Sequence, residues 1–366
     1  MHEHSGESKR GCDGFAGFIT GREAAVSNQT LSEIRKIVRA VKILSPTSFS
    51  FAGQVVTQSP VAHQHLVAGT EGDLIGLLTQ HIYLYCFCHK FSGDTHKEFP
   101  PTLPDDAFTQ TLIDSNASSE RWDAGWQITQ VLPSGQVMAH KSGQSRALWA
   151  GEFITHDGPG MAPRQGANIS VFLQKGTKSL QPGFYIAFGE FMHDEPDDWN
   201  LVRFYWNIKA AGAADLMRLI TTSLNRFQVP FRFKCVTNRE SYSRLDSAVL
   251  YINKRFYRIT AEIVSDVYKK IKASLLQDTP IFTKRLGHGL ALAEDPGQQD
   301  SFGTSRCRIL AEAIINSHNS SNGQDKSEHV KVQDIVNEFE RRGFNVDHLY
   351  LNAGSNDLYV FPNSHS

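Results

Sequence analysis

A chain of 366 residues, 40% hydrophobic and 20% charged, has the composition of a soluble globular protein with room for one large or two ordinary domains. A net charge of −1 excludes general nucleic-acid binding, and no zinc-finger or RNA-recognition pattern is present. No apolar run is long enough to span a bilayer, and the start, MHEHSGESKRGCDG, has no apolar signal core, so no membrane partner and a cytoplasmic location are expected. Cys12, Cys86, Cys88, Cys235 and Cys307 are an odd, scattered set that reads as reduced thiols rather than a disulfide framework.

Residues 1–28 are polar and Gly-rich and read as a flexible N-terminus. Thr30 and Glu33 form a capping-box pattern ahead of a helix carrying Ile34, Ile37, Val38 and Val41 on one face, which Pro46 is expected to end. Gly72–Lys90 is a second helical stretch, so residues 29–95 read as a helical subdomain. Cys86, Cys88 and His89 lack a second cluster at metal-ligand spacing and read as packing residues; no metal and no cofactor is expected. Residues 93–106, with Pro100, Pro101 and Pro104, read as a linker to a core domain over 107–366.

That core turns to strands. Trp126–Val131 and Gln136–His140 flank Pro133-Ser134-Gly135 as a hairpin, and Ser170–Gln174 and Phe184–Phe188 continue the series. Gly158–Gly166 lacks the Gly-Lys-Ser/Thr ending of a phosphate loop and reads as a plain loop. The acidic run His193–Asp198 reads as a solvated turn. Next come a strand from Arg203 to Ile208, a helix on Leu216, Leu219, Ile220 and Leu224 stopped by Pro230, and strands at Phe231–Val236 and Ala248–Ile252. A helix over Ala261–Leu276, a Gly/Pro-rich loop TPIFTKRLGHGLALAEDPG, a helix from Thr304 to about Asn316, a flexible insertion at 318–330, a helix around Ile335–Arg342 and a short strand Leu358–Phe361 complete the reading. The fold class is α+β: a helical subdomain followed by a mixed or antiparallel sheet core with flanking helices.

Charge is uneven along the chain. From Leu201 to Leu286 there are 16 Lys or Arg against 6 Asp or Glu, an excess of +10 that leaves −11 for the remainder. Such a field favours an anionic ligand for this part. Arg203, Lys234 and Arg244 lie on or beside strands able to share a sheet, where a rigid backbone suits fixing an anion in one pose. Arg306 and Arg308 sit in the first turn of a helix, the unfavourable end for cations, which a bound anion or a salt bridge to Glu294, Asp295 or Asp300 would relieve.

The blocks RFYWNI, VPFRFKCV, SRLDSAVLYI, IFTKRLGHGLALAEDPG and SFGTSRCRILAEAI resemble the HopA family: type III effectors of plant-pathogenic bacteria and related proteins of class V lanthipeptide and thioamitide clusters. A shorter resemblance links the central strands to the OspF and SpvC phosphothreonine lyases. It implies an OspF/SpvC-like lyase core that eliminates phosphate from phosphoserine or phosphothreonine in a precursor peptide. Lys234 would be the base, its pKa lowered by nearby Arg charges and partial burial. Arg203 and Arg244, with Lys284 and Arg306 as further candidates, would grip the phosphate. Tyr205 stands where those lyases carry a catalytic His, and His288 is the substitute general acid. The resemblance further implies a separate Ser/Thr kinase as partner, since no Gly-rich loop with a strand lysine, HRD or DFG is present here. It leaves open an effector secreted into a host to act on a host protein, and a non-catalytic phosphopeptide-binding module.

Overall fold

The structure is a computed structural model that describes residues 20–57, 74–93, 103, 105–158, 161–191, 200–297, 300–321 and 324–362, with side chains from residue 29 onward. Helix α1 (Thr20–Ala40) leads into a small antiparallel sheet of β1 (Val41–Ser45), β2 (Ser48–Phe51) and β3 (Gln54–Thr57). The first helix therefore starts before the Thr30 capping pattern and ends before Pro46, which lies in the β1–β2 turn. β-branched and aromatic residues in KILSPTSFSF favour a hairpin over further helix. Helix α2 (Leu74–Ile82) runs on into a π-helical turn, Tyr83–Phe87, and α3 (Asp106–Ser115) is capped by the Asp105 carboxylate accepting from Phe108 N at 2.9 Å.

A five-stranded antiparallel sheet follows, built from β4 (Arg121–Val131), β5 (Val137–Lys141), β6 (Gln144–Leu148), β7 (Phe153–Thr155) and β8 (Asn168–Leu173), in the order β6-β5-β4-β8-β7. Its alternating residues Trp126, Ile128, Val137, Ala139, Ile169 and Val171 form a small core of their own. The Pro133–Gly135 turn joins β4 to β5 as the hairpin signal requires.

The central sheet holds seven strands: β9 (Gly176–Thr177), β10 (Phe184–Phe188), β11 (Leu201–Trp206), β12 (Arg232–Val236), β13 (Ala248–Asn253), β14 (Lys284–Gly287) and β15 (Leu290–Glu294). The order is β14-β15-β11-β13-β12-β10-β9 and each neighbouring pair is antiparallel. With helices against both faces, the central strands lose the half-polar alternation expected of them, and every residue of β11 is buried. On one face lie α4 (Ala210–Arg226) and α5 (Tyr257–Ile271), where Phe204 stacks on Tyr257 with ring centroids 6.1 Å apart. On the other lie the π-helical turn and α6 (Phe302–Asn319), through the contacts of Phe87 and Phe302 with Tyr205. Helix α7 (Glu328–Arg341) packs on α6 and α1. Side chains of α1, the small N-terminal sheet and α2 share one core with the central sheet.

Three further expectations are corrected. The stretch TPIFTKRLGHGLALAEDPG forms the β14–β15 hairpin at the sheet edge rather than a loop. Its turn needs Gly289: φ is +62°, and a Cβ there would stand 2.4 Å from Leu276 O and 2.8 Å from Asn207 O. Leu358–Phe361 pairs with no strand among the described residues; it is a segment tied down where Tyr257 Oη donates to Val360 O at 3.0 Å. Helix α6 runs to Asn319 and α7 starts at Glu328, leaving a connection shorter than the expected insertion. The acidic run His193–Asp198 and most of the 93–106 linker lie outside the described residues.

Candidate functional site

Antiparallel register fixes which side chains share a face of the central sheet, because directly opposed residues project to the same side. Tyr205 opposes Val249, which opposes Lys234; Arg203 opposes Tyr251, which opposes Arg232. Arg203, Tyr205, Tyr251, Lys234 and Arg232 therefore stand on one face across three adjacent strands. Arg244 reaches the same neighbourhood from the turn between β12 and β13. That turn is shaped by Asn238 Oδ1 accepting from Glu240 N at 2.8 Å and by Tyr242 Oη donating to Val236 O at 2.9 Å. Leu245 N donates to Cys88 O at 2.7 Å, anchoring the turn to the segment after the π-helical turn.

Two aromatic rings join the cations. Lys234 Nζ lies 4.4 Å from the centroid of Phe184 and 5.7 Å from that of Tyr251; Arg244 Cζ is 5.9 Å from Phe184, and Arg203 Cζ is 5.1 Å from Tyr251. Lys234, only 9% exposed, donates to the neutral side chain of Gln181 at 3.1 Å and forms no salt bridge among the described residues. The arginines differ. Arg203 donates through Nε to Asp295 Oδ2 at 2.7 Å, and its Nη2 lies 2.6 Å from the same oxygen in an ion pair. Arg244 holds Asp246 in a fork of two 2.9 Å bonds and donates from Nη2 to Cys88 Sγ at 3.1 Å. In both, the carboxylate locks the guanidinium on its Nε–Nη2 edge and leaves Nη1 without a partner among the described residues. Three cations against two carboxylates leave positive charge in excess.

Tyr251 was not singled out from the sequence. Burial pushes its phenol up, but the charges of Lys234 and then Arg203 outweigh that and hold it below the usual tyrosine value. Its signal was available: Tyr251 is two residues from Val249 in the block that pairs with both cation-bearing strands. Tyr205 behaves oppositely. Burial raises it, with Arg203 only partly opposing, and among the described residues its hydroxyl makes no hydrogen bond of ordinary geometry in a setting of Phe87 and Phe302.

The remaining candidates lie elsewhere. His288 is exposed at the β14–β15 turn, its backbone N–H donating to Tyr268 Oη at 3.0 Å, against the helix on the opposite face. Lys284, on the edge strand β14, pairs with Asp357 at 2.5 Å and lies over the Tyr350 ring. Arg306 is 1% exposed and forms no salt bridge among the described residues: Nε donates to Leu349 O at 2.9 Å and Nη2 to Leu351 O at 2.8 Å, while Phe302 and Phe344 cover its guanidinium. Burial brings it down to about 10. Its neighbour Arg308 does take a salt bridge, to Asp300 at 3.2 Å. Cys86 and Cys88 are buried, and among the described residues no group of three or more His, Cys, Asp or Glu could hold a metal ion. No described helix is long and apolar enough to cross a membrane.

Residues 176–351 match the model of the HopA1 effector protein family. The chain carries a HopA1-family domain. That domain supplies Gln181, Phe184, Arg203, Tyr205, Lys234, Arg244, Tyr251 and Asp295, whereas Phe87 and Cys88 reach the site from before it. Among solved structures, the chain is similar to an effector protein from Pseudomonas syringae pv. tomato strain DC3000, with 15% identity, a TM-score of 0.47 and coverage of 90% of this chain and 99% of that one. It is likewise similar to one from Pseudomonas syringae pv. syringae strain 61, with 15% identity, a TM-score of 0.45 and coverage of 92% and 100%. No curated protein matches it.

Proposed function

We propose that this HopA1-family chain is a carbon–oxygen lyase that eliminates phosphate from phosphoserine or phosphothreonine in a peptide phosphorylated beforehand by a separate kinase. One observation carries the reading: a buried lysine with no carboxylate partner among the described residues stands between two aromatic rings, and each ring also bears an arginine. In the reaction the Lys234 amine takes the Cα proton. The electron pair forms the Cα–Cβ double bond as the Cβ–O bond breaks, and phosphate leaves with the oxygen, giving dehydroalanine or dehydrobutyrine. Arg203 and Arg244 hold the phosphate through their Nη1 groups, with Asp295 and Asp246 fixing their planes. Tyr251, within the field of Lys234 and Arg203, is better placed than Tyr205 to exchange a proton, because a phenol held below its ordinary value gives up its proton more readily.

The substrate is a precursor peptide in a bacterial cytoplasm in this reading. The family's description as effectors favours a second one, in which the same chemistry acts on a phosphorylated host protein after secretion. Incubation with a phosphorylated precursor peptide and, separately, a phosphorylated host protein, followed by mass spectrometry, tests both. Loss of the elements of phosphoric acid is expected for the substrate, and none with Lys234→Ala. If the phosphorylated peptide and protein both remain bound but intact, the chain is a phosphopeptide-binding module and not a lyase.

A further inference from the structure

A groove far from these residues in the fold's construction lies where β1, α6 and α7 meet. Its floor is apolar, from Val41 and Ile43 of β1, Ile314 of α6 and Ile335 of α7; Lys42 and the ion pair of Lys331 with Asp325 at 2.5 Å form its rim. Strand β1 is an edge of the three-stranded sheet, and among the described residues no strand pairs along its outer side. Ala52 N donates to Ala40 O at 2.8 Å, so by alternation Lys42 and Ser50 are the next hydrogen-bonded pair of the β1–β2 ladder. The N–H and C=O of Ile43 then point away from β2, toward the open edge. An edge of this kind, beside an apolar floor, offers both halves of strand addition: main-chain bonds and a seat for alternate side chains.

Charge selects the occupant. Asp325 is paired with Lys331 and lies within the field of Lys42 as well, so the rim carries two lysines against one carboxylate and is left with positive charge in excess. Two copies of the chain joined edge to edge would bring each Lys42 near its counterpart, which opposes self-pairing. We infer that this groove docks an extended acidic peptide segment, which adds as a strand to β1, seats an aliphatic side chain against Ile314 and Ile335 and sets a carboxylate on Lys42. The groove takes its α6 residue from the far end of that helix from Phe302, shares no side chain with the Lys234 site and goes beyond the lyase reading.

The test uses the full chain and a fluorescein-labelled peptide of alternating Leu and Asp without phosphate, read by anisotropy and by amide hydrogen exchange. Saturable binding with slowed exchange at Ile43 is expected. Lys42→Glu, an exposed change that leaves the fold intact, should weaken it about tenfold. A Leu-Lys peptide should bind the wild type poorly and gain on Lys42→Glu. Lys234→Ala should bind the Leu-Asp peptide as the wild type does, which separates this outcome from any failure of the lyase reading. Absence of saturable binding, equal binding of both peptides, protection that maps away from Ile43, or a dimer in sedimentation that the peptide does not displace would each overturn the inference.

Discussion

Lys234→Met should make the protein no less stable while removing its chemistry. The substitution keeps an unbranched side chain of similar length between Phe184 and Tyr251 but deletes the ammonium. What is lost is two cation–π contacts, together about 1–3 kcal/mol, and a hydrogen bond to Gln181 worth about 1 kcal/mol. What is gained is relief from holding a charge 9% exposed with no carboxylate partner, which costs several kcal/mol per ion. Methionine also packs well against aromatic rings. The variant is therefore expected between unchanged and about 2 kcal/mol more stable in urea unfolding, with turnover of a phosphorylated peptide down about 10²–10⁴-fold. A third readout isolates the electrostatics. Lys234 is the foremost of the charges that hold Tyr251 down, and burial remains when it is gone, so the Tyr251 phenol must titrate at higher pH, visible as a difference in ultraviolet titration between the variant and the wild type. A variant destabilised by more than about 2 kcal/mol that keeps its turnover would make Lys234 a structural residue and refute the reasoning.

The arginine carboxylates give a contrasting case. Arg203→Gln leaves the half-buried Asp295 carboxylate without its partner and should cost about 3 kcal/mol in urea unfolding, whereas Arg203→Met combined with Asp295→Leu should recover most of it without restoring phosphopeptide binding. Glu294 governs an acid transition: burial raises its carboxyl, but the Lys254 ammonium, the Tyr359 hydroxyl at 2.6 Å and Asn352 N–H at 2.8 Å bring it below the ordinary 4.5. The folded pKa is thus depressed, so this stabilisation is present above about pH 4.5 and is lost as pH falls through the folded value. Glu294→Gln should be less stable than the wild type at pH 7, and the gap should narrow in acid unfolding curves. His288→Ala and Lys284→Ala should leave phosphopeptide turnover within about twofold of the wild type, since neither side chain stands with Lys234. Arg306→Lys gives up two carbonyl bonds at a buried position and should lose about 1–3 kcal/mol of stability with no change in affinity for phosphopeptide.

Periodicity alone placed β10, β11, β12, β13 and α4 within a few residues, because β-rich runs such as RFYWNI, FRFKCV and SAVLYI and the helical spacing of Leu216, Ile220 and Leu224 are local signals. It likewise put Lys234 and Arg203 on strands able to share a sheet, and the positive excess over 201–286 marked that region before any coordinates. Only the tertiary structure decided which cations meet. Lys284, Arg306 and His288 share the same local appearance as Arg203 and Arg244, yet a hairpin turn, an edge strand and a pair of backbone carbonyls claim them. Register made Tyr251 a neighbour of both Arg203 and Arg232, a relation set by strand order, which separations of tens of residues do not encode. Side-chain chemistry is written residue by residue, but convergence depends on which edges pair and which faces helices cover, and those are properties of the folded sheet as a whole.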